Sequence, residues 1–97
     1  MFKPILVDLR LIDSDMFIDL PFETQLLYFY LLAHRNKEGI VINPKAIQRA
    51  IGVKESALTM LLENGYVFES DGEGEVFVVN TLKSFLEMNN YGNQESC

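Results

Sequence analysis

The segment NPKAIQRAIGVKESALTMLLENG, residues 43–65, decides the fold of this 97-residue chain. Asn43 is a favourable N-cap, and Pro44 occupies a first helical position, where its missing N–H costs nothing. Gly52 and Gly65 stand where a left-handed residue ends a helix. The segment therefore predicts two short helices joined by a tight turn.

The residues that follow predict a β-hairpin and a last helix. Two apolar-rich runs, 66–69 and 75–79, flank the turn 70–74, which contains the hairpin-favouring pair Asp-Gly. Thr81 is the predicted N-cap of a helix from Leu82 to about Met88. Helix, turn, helix and hairpin are the plan of a winged helix. We predict one α+β winged-helix domain over residues 1–91, with a β-hairpin wing and a C-terminal helix, and a disordered tail over 92–97.

The residues before Asn43 predict the remaining elements. Alternating apolar positions over 5–12 predict a half-buried strand, and residues 14–17 predict one helical turn capped by Asp13 or Ser14. Pro21 opens a helix over 22–34, and the run 40–42 suits a third strand. Core residues are expected at Leu26, Phe29, Ile47, Ile51, Leu58, Leu61, Leu62, Val67 and Val78.

The composition narrows the class of protein. Hydrophobic residues make up 48% of the chain and charged residues 23%, which is typical of a globular domain. No apolar run reaches the roughly 18 residues of a membrane span, and the start of the chain lacks the pattern of a signal peptide. A single cysteine, Cys97, fits a reducing compartment. We therefore expect a cytoplasmic protein without a membrane partner.

Nothing in the sequence predicts an enzyme. His34 is the only histidine and has no cysteine or second histidine at metal-ligand spacing. The chain offers no nucleophile set beside a base and no phosphate-binding glycine loop followed by lysine. We expect no catalytic residue, metal, cofactor or small-molecule ligand.

Charge is distributed unevenly along the chain, whose net charge is −6. From Glu55 onward the chain contains eight acidic residues and a single basic one, Lys83. This half contains the predicted reading helix and the wing, and such a surface repels a duplex. The acidic residues of this region that could bind a partner by imitating a phosphate backbone are Glu63, Glu69, Asp71, Glu73 and Glu75.

Two other surfaces are candidates for binding. Duplex DNA would be contacted from the two short helices, by Lys45, Gln48, Arg49, Lys54, Ser56 and Thr59. The helix over 22–34 is apolar on two sides, which indicates either a central place in the core or a contact with another chain. The residues expected to mediate self-association are Leu27, Tyr28 and Leu31.

A series of segments carries a resemblance to a known family. They are residues 12–17, 20–21, 25–29, 39–44, 51–58, 61–67 and 89–91. In this order they resemble the N-terminal winged-helix domain of phage replisome-organiser and DnaD-type replication proteins. The chain departs from that pattern at Lys54, where a short polar cap is usual, and it contains no tryptophan.

The resemblance implies a winged-helix fold, a place in the cytosol of a phage's bacterial host, and a role in DNA replication or its control. Together with the acidic surface, it leads us to expect a non-enzymatic module that acts mainly through protein–protein contacts and self-associates. One alternative is an acidic DNA mimic that inhibits a host nucleic-acid enzyme, such as an anti-CRISPR protein. The other is a regulator that binds duplex DNA, for which affinity would be weak.

Overall fold

A computed structural model describes residues 6–89 as an α+β domain. The elements are α1 (Leu9–Ile12), α2 (Asp15–Ile18), α3 (Phe22–His34), β1 (Ile40–Val41), α4 (Pro44–Ile51), α5 (Glu55–Glu63), β2 (Val67–Glu69), β3 (Val76–Val78) and α6 (Leu82–Asn89). The three strands form an antiparallel sheet in the order β1-β3-β2. The predicted disordered tail and Cys97 lie outside the described residues.

The two short helices form as the capping residues predict. The Asn43 side chain accepts a hydrogen bond from the Ala46 amide at 3.2 Å and so satisfies one free donor of the first turn of α4. Gly52, after α4, and Gly65, after α5, have φ angles of 79° and 84°. A side chain at Gly65 would also collide with Asn89 of α6. These predicted helix ends are confirmed.

The hairpin and the third strand are also confirmed. Val67 pairs with Val78, and Phe68 pairs with Phe77, across β2 and β3. Ile40 of β1 lies opposite the same Phe77 on the other edge of β3. The Ser70 amide donates to the Glu75 carbonyl at 3.0 Å and closes the predicted turn.

The predicted N-terminal strand is wrong in the part of the chain that the structure describes. Residues 9–12 form α1, because Asp8 caps this short helix by accepting a hydrogen bond from the Arg10 amide at 3.0 Å. The helical turn α2 follows, with Ser14 as its N-cap as predicted. Alternation over a few residues fits both a strand and a single helical turn, so the pattern could not distinguish them.

Asp8 also joins the beginning of the described chain to α6. Its carboxylate accepts a hydrogen bond from the Leu82 amide at 2.9 Å and pairs with Arg10 at 2.9 Å. Its amide donates to the Asn80 carbonyl, and the Asn80 side chain donates to the Leu6 carbonyl. The Arg10 guanidinium and the Leu82 amide hold the pKa of Asp8 well below its usual range. We call these five residues the terminal clasp.

The core lies between α3, α5 and one side of the sheet. Edge-to-face aromatic contacts lie at its centre, with the Phe17 and Tyr66 rings 5.4 Å apart and the Tyr28 and Tyr66 rings 5.7 Å apart. Of the expected core residues, Leu58, Leu61, Val67 and Val78 are buried, and Phe29, Ile47, Ile51 and Leu62 are half-buried and pack against the core. Leu26 is exposed, so that expectation is wrong.

Candidate functional site

The first candidate surface is the outer side of α4, where a duplex would be read. Lys45 and Arg49 are both exposed and share this side, as their spacing predicts. Gln48 is only 4% exposed and cannot reach a base or phosphate, so its prediction as a DNA contact is wrong. It lies four residues after the buried Pro44, on the side of α4 that faces the protein. The outer side of α4 therefore presents two cations, without the exposed polar side chain expected beside them at position 48.

The beginning of α5 carries the other predicted DNA contacts. Lys54, Ser56 and Thr59 are all exposed and remain available to solvent. However, the Lys54 amide donates a hydrogen bond to the Glu23 carboxylate of α3 at 3.3 Å. A negative group of the protein itself thus occupies the place where a phosphate would meet the positive end of this helix. No local pattern predicts this contact, because Glu23 and Lys54 are 31 residues apart.

The acidic candidates surround a groove of about 320 Å³ between the hairpin turn and the two helices. Leu58 and Leu62 line its apolar side, and Lys45 lies on its edge. A cation therefore accompanies the carboxylates, which were expected to stand without one. Four of the five predicted acids line this groove, namely Glu69, Asp71, Glu73 and Glu75. Glu63 is exposed but is not among the lining residues.

Glu75 differs from the other acids of the groove. It is half-buried, and the Ser70 hydroxyl donates to its carboxylate at 3.5 Å. The carboxylate lies against Gly72, where any side chain would collide with it. Glu75 therefore helps to build the turn, whereas Glu69, Asp71 and Glu73 are exposed and free to meet a partner.

The second candidate surface lies on α3 and differs from the prediction. Leu27, Tyr28 and Leu31 are fully buried, so their prediction as self-association residues is wrong. The side of α3 that faces solvent is instead formed by Phe22, which is 88% exposed, Leu26, 45% exposed, and Tyr30, 42% exposed. Of these three residues, only Leu26 was expected in the core.

The buried tyrosines of the core serve the fold. The Tyr28 hydroxyl donates to the Val79 carbonyl at 2.6 Å and ties α3 to the end of β3. Burial raises the pKa values of the Tyr28 and Tyr66 phenols, because it disfavours the charged form. Both groups stay protonated and neutral near neutral pH, and neither lies in a groove described above.

Metal sites and membrane spans are not found in residues 6–89. No group of three or more histidine, cysteine or acidic residues in this range could hold a metal ion. His34 is exposed beside Val41 and Ile42. No described helix is both long enough and apolar enough to cross a membrane.

Comparison of the chain with known protein families, with curated proteins and with solved structures gives no match. The surfaces described above are therefore the basis on which a function can be assigned. These surfaces are an apolar outer side on α3, an acidic groove beside the hairpin turn, and two cations on α4.

Proposed function

We propose that this chain is a winged-helix module, without catalytic activity, that serves phage-type DNA replication or its control through protein–protein contacts. The order of α3, β1, α4, α5 and the hairpin supports a winged helix, with the turn of β2 and β3 as its wing. The sequence resemblance to replisome-organiser domains supports the link to replication.

The observation that carries the proposal is the apolar outer side of α3. A helix on the surface of a globular domain ordinarily presents polar residues to water. Here Phe22 is almost fully exposed, and the residues that share its side are also apolar. An exposed apolar surface of this kind marks a protein interaction site.

The surface that would read a duplex supports the same conclusion. Gln48 is buried, Glu23 occupies the beginning of α5, and the exposed acids Glu69, Asp71 and Glu73 lie beside Lys45. DNA-binding proteins gain most of their non-specific affinity from cations that neutralise phosphates. This surface instead places carboxylates in the groove that Lys45 lines.

A titration with random duplex DNA at low salt tests the proposal. We expect no binding by the wild-type chain at tens of micromolar, and the double variant Glu73→Lys/Asp71→Lys should gain weak, salt-dependent binding. The matched control Lys45→Glu should behave as the wild type does. A wild-type dissociation constant of about a micromolar or tighter, lost in Lys45→Glu and Arg49→Glu, would restore the role of a duplex-binding regulator.

The acidic groove supports a second candidate, a DNA mimic that inhibits a host nucleic-acid enzyme. Glu69, Asp71 and Glu73 are exposed near one another, as a row of phosphates would be. Lys45 on the same groove weakens the likeness to a uniform phosphate backbone. Inhibition of a nuclease by the chain would distinguish the two candidates. If the chain is a DNA mimic, Glu73→Lys should relieve the inhibition. If α3 makes the contact with the nuclease, Phe22→Glu should relieve it instead.

A further inference from the structure

The acidic groove beside the hairpin turn combines an apolar lining with a charged rim. The apolar residues that line it are Pro44 of α4, Leu58 and Leu62 of α5, and Val76 of β3. Leu62 is half-buried, so part of its side chain is free for a contact. Ligand sites are concave and mostly apolar, carry a few polar groups, and begin at about 300 Å³. With about 320 Å³, the groove has the size and the lining of a small binding site.

We propose that the acidic groove binds a short basic segment of another protein. The segment would place one apolar side chain against Leu62 and at least two lysine or arginine residues against the rim. The inference rests on the proposed function and deepens it, since it states the chemistry of a protein partner. It is carried by the charges of the groove, by its apolar lining and by the fixed shape of the turn.

The charges of the groove favour a cationic occupant. It is lined by four carboxylates, those of Glu69, Asp71, Glu73 and Glu75, and by one ammonium, that of Lys45. This excess of three negative charges attracts a basic segment and repels an acidic one. Glu69, Asp71 and Glu73 are exposed, so they can pair with cations without the large cost of removing a charge from water.

Hydrogen bonds hold the turn that carries these carboxylates. The Ser70 amide donates to the Glu75 carbonyl at 3.0 Å, and the Glu75 amide donates to the Gly72 carbonyl at 3.1 Å. The half-buried Glu75 carboxylate also accepts a hydrogen bond from the Ser70 hydroxyl at 3.5 Å. The exposed acids therefore project from a backbone that is already ordered, which lowers the entropy cost of binding a partner.

The concave form of the groove favours a bound segment over DNA mimicry. A DNA mimic inserts its carboxylates into the basic channel of its target, which requires them to stand on a protruding surface. In this domain the carboxylates surround a depression that has apolar side chains in its lining. Burial of an apolar side chain against Leu62 adds affinity that charge pairing alone does not supply. Lys45, on the α4 side, is available to a main-chain carbonyl of the segment.

Fluorescence anisotropy of labelled peptides mixed with the full chain tests the proposal. The probe is a short blocked peptide in which lysine and leucine alternate. We expect a dissociation constant of about 100 µM or tighter at low salt, and weaker binding as salt screens the charges. A peptide with serine in place of leucine should bind about tenfold more weakly, because it lacks the apolar side chain. A peptide of glutamate and leucine should not bind.

Two double variants of equal net charge locate the binding site. Asp71→Asn/Glu73→Gln removes two carboxylates of the rim and should weaken binding of the lysine–leucine peptide roughly tenfold. The matched control Glu63→Gln/Glu87→Gln removes two exposed carboxylates that do not line the groove. It should leave the dissociation constant within about twofold of the wild-type value, because salt screens distant charges. Lys45→Gln removes the cation of the groove and should strengthen binding about threefold.

Nuclear magnetic resonance provides a second readout of the site. On addition of the lysine–leucine peptide, the methyl signals of Leu62 should shift, and those of Leu86 should not. Leu86 lies on α6 and is 45% exposed, so it controls for non-specific contact with the peptide. Circular dichroism of the charge variants should match the wild type, which separates loss of binding from loss of folding.

Three results would overturn the proposal. One is the absence of binding by the lysine–leucine peptide and by its phenylalanine and valine counterparts. Another is an equal loss of affinity in the two double variants, which would show that the acidic groove is not the site. The third is equal binding of the leucine and serine peptides, which would mean that charge alone attracts them, as expected for a DNA mimic.

The outcomes separate this inference from the proposed function. If the chain binds neither these peptides nor DNA, the acidic groove is not a docking site, and the proposed function remains with the outer side of α3. DNA binding by the wild-type chain that is lost in Lys45→Glu and Arg49→Glu would remove the proposed function, whether or not the peptides bind.

Discussion

The two sides of α3 are both rich in large apolar side chains, yet one lies in the core and the other in solvent. The inner side, with Leu27, Tyr28 and Leu31, packs against α4, α5 and the end of β3. The outer side carries Phe22, Leu26 and Tyr30, which are 88%, 45% and 42% exposed. The difference teaches that burial of an apolar side depends on what the rest of the chain can place against it.

The largest difference is expected between two identical truncations on opposite sides of α3. Leu31→Ala should lower the free energy of unfolding by about 2–5 kcal/mol, because it leaves a cavity in the core. Leu26→Ala should change the free energy of unfolding of the monomer by less than about 0.5 kcal/mol, as exposed substitutions do. Urea denaturation at a protein concentration of a few micromolar measures both values. Equal losses of unfolding free energy in the two variants would contradict the described orientation of α3.

A pair of tyrosines allows a finer comparison. Tyr28→Phe removes the hydrogen bond to the Val79 carbonyl and should cost about 1 kcal/mol or somewhat more, since that acceptor is left buried without its donor. Tyr30→Phe on the outer side should be neutral within about 0.5 kcal/mol, because its hydroxyl makes no hydrogen bond within residues 6–89. The thermal unfolding midpoints of the two variants should differ in this order, and the reverse order would refute it.

The smallest expected effect concerns a second hydroxyl on the inner side, that of Thr24. Thr24 is buried, and its hydroxyl lies 3.7 Å from the Met60 sulfur, a weak acceptor. Thr24→Val should therefore change the free energy of unfolding by no more than about 0.5 kcal/mol, since little hydrogen-bond energy is lost. Thr59→Val, at an exposed position on α5, is the control. A loss above 1 kcal/mol in Thr24→Val alone would mean that the hydroxyl has a stronger partner.

The sequence predicts the elements whose ends are fixed by neighbouring residues. Asn43, Gly52 and Gly65 define α4 and the end of α5 through caps and left-handed turns, which need only a few adjacent residues. Pro21 similarly marks the beginning of α3, although its cap makes no side-chain hydrogen bond. Periodicity could not assign the sides of α3, because apolar residues lie on both of them.

The parts that the sequence could not predict depend on residues far apart in the chain. Within the described residues, α1 replaces the strand expected over 5–12, because Asp8 binds both Arg10 and, across the fold, Leu82. Two contacts within the candidate surfaces were missed in the same way. The contact of Glu23 with Lys54 and the nearness of Lys45 to the acidic turn arise only once α3, α5 and the hairpin have packed. Local rules contain no information on such contacts.

The terminal clasp makes the connectivity of this domain nearly circular. It holds residues 6–8 beside residues 80–82, and α6 then extends only about 12 Å from that point. A short linker could therefore join residues 6 and 89, and the chain could be opened in the turn at residues 71–74. Such a circular permutant would keep the core, the clasp and the exposed apolar side of α3. The two strands of the hairpin would no longer be connected through their turn.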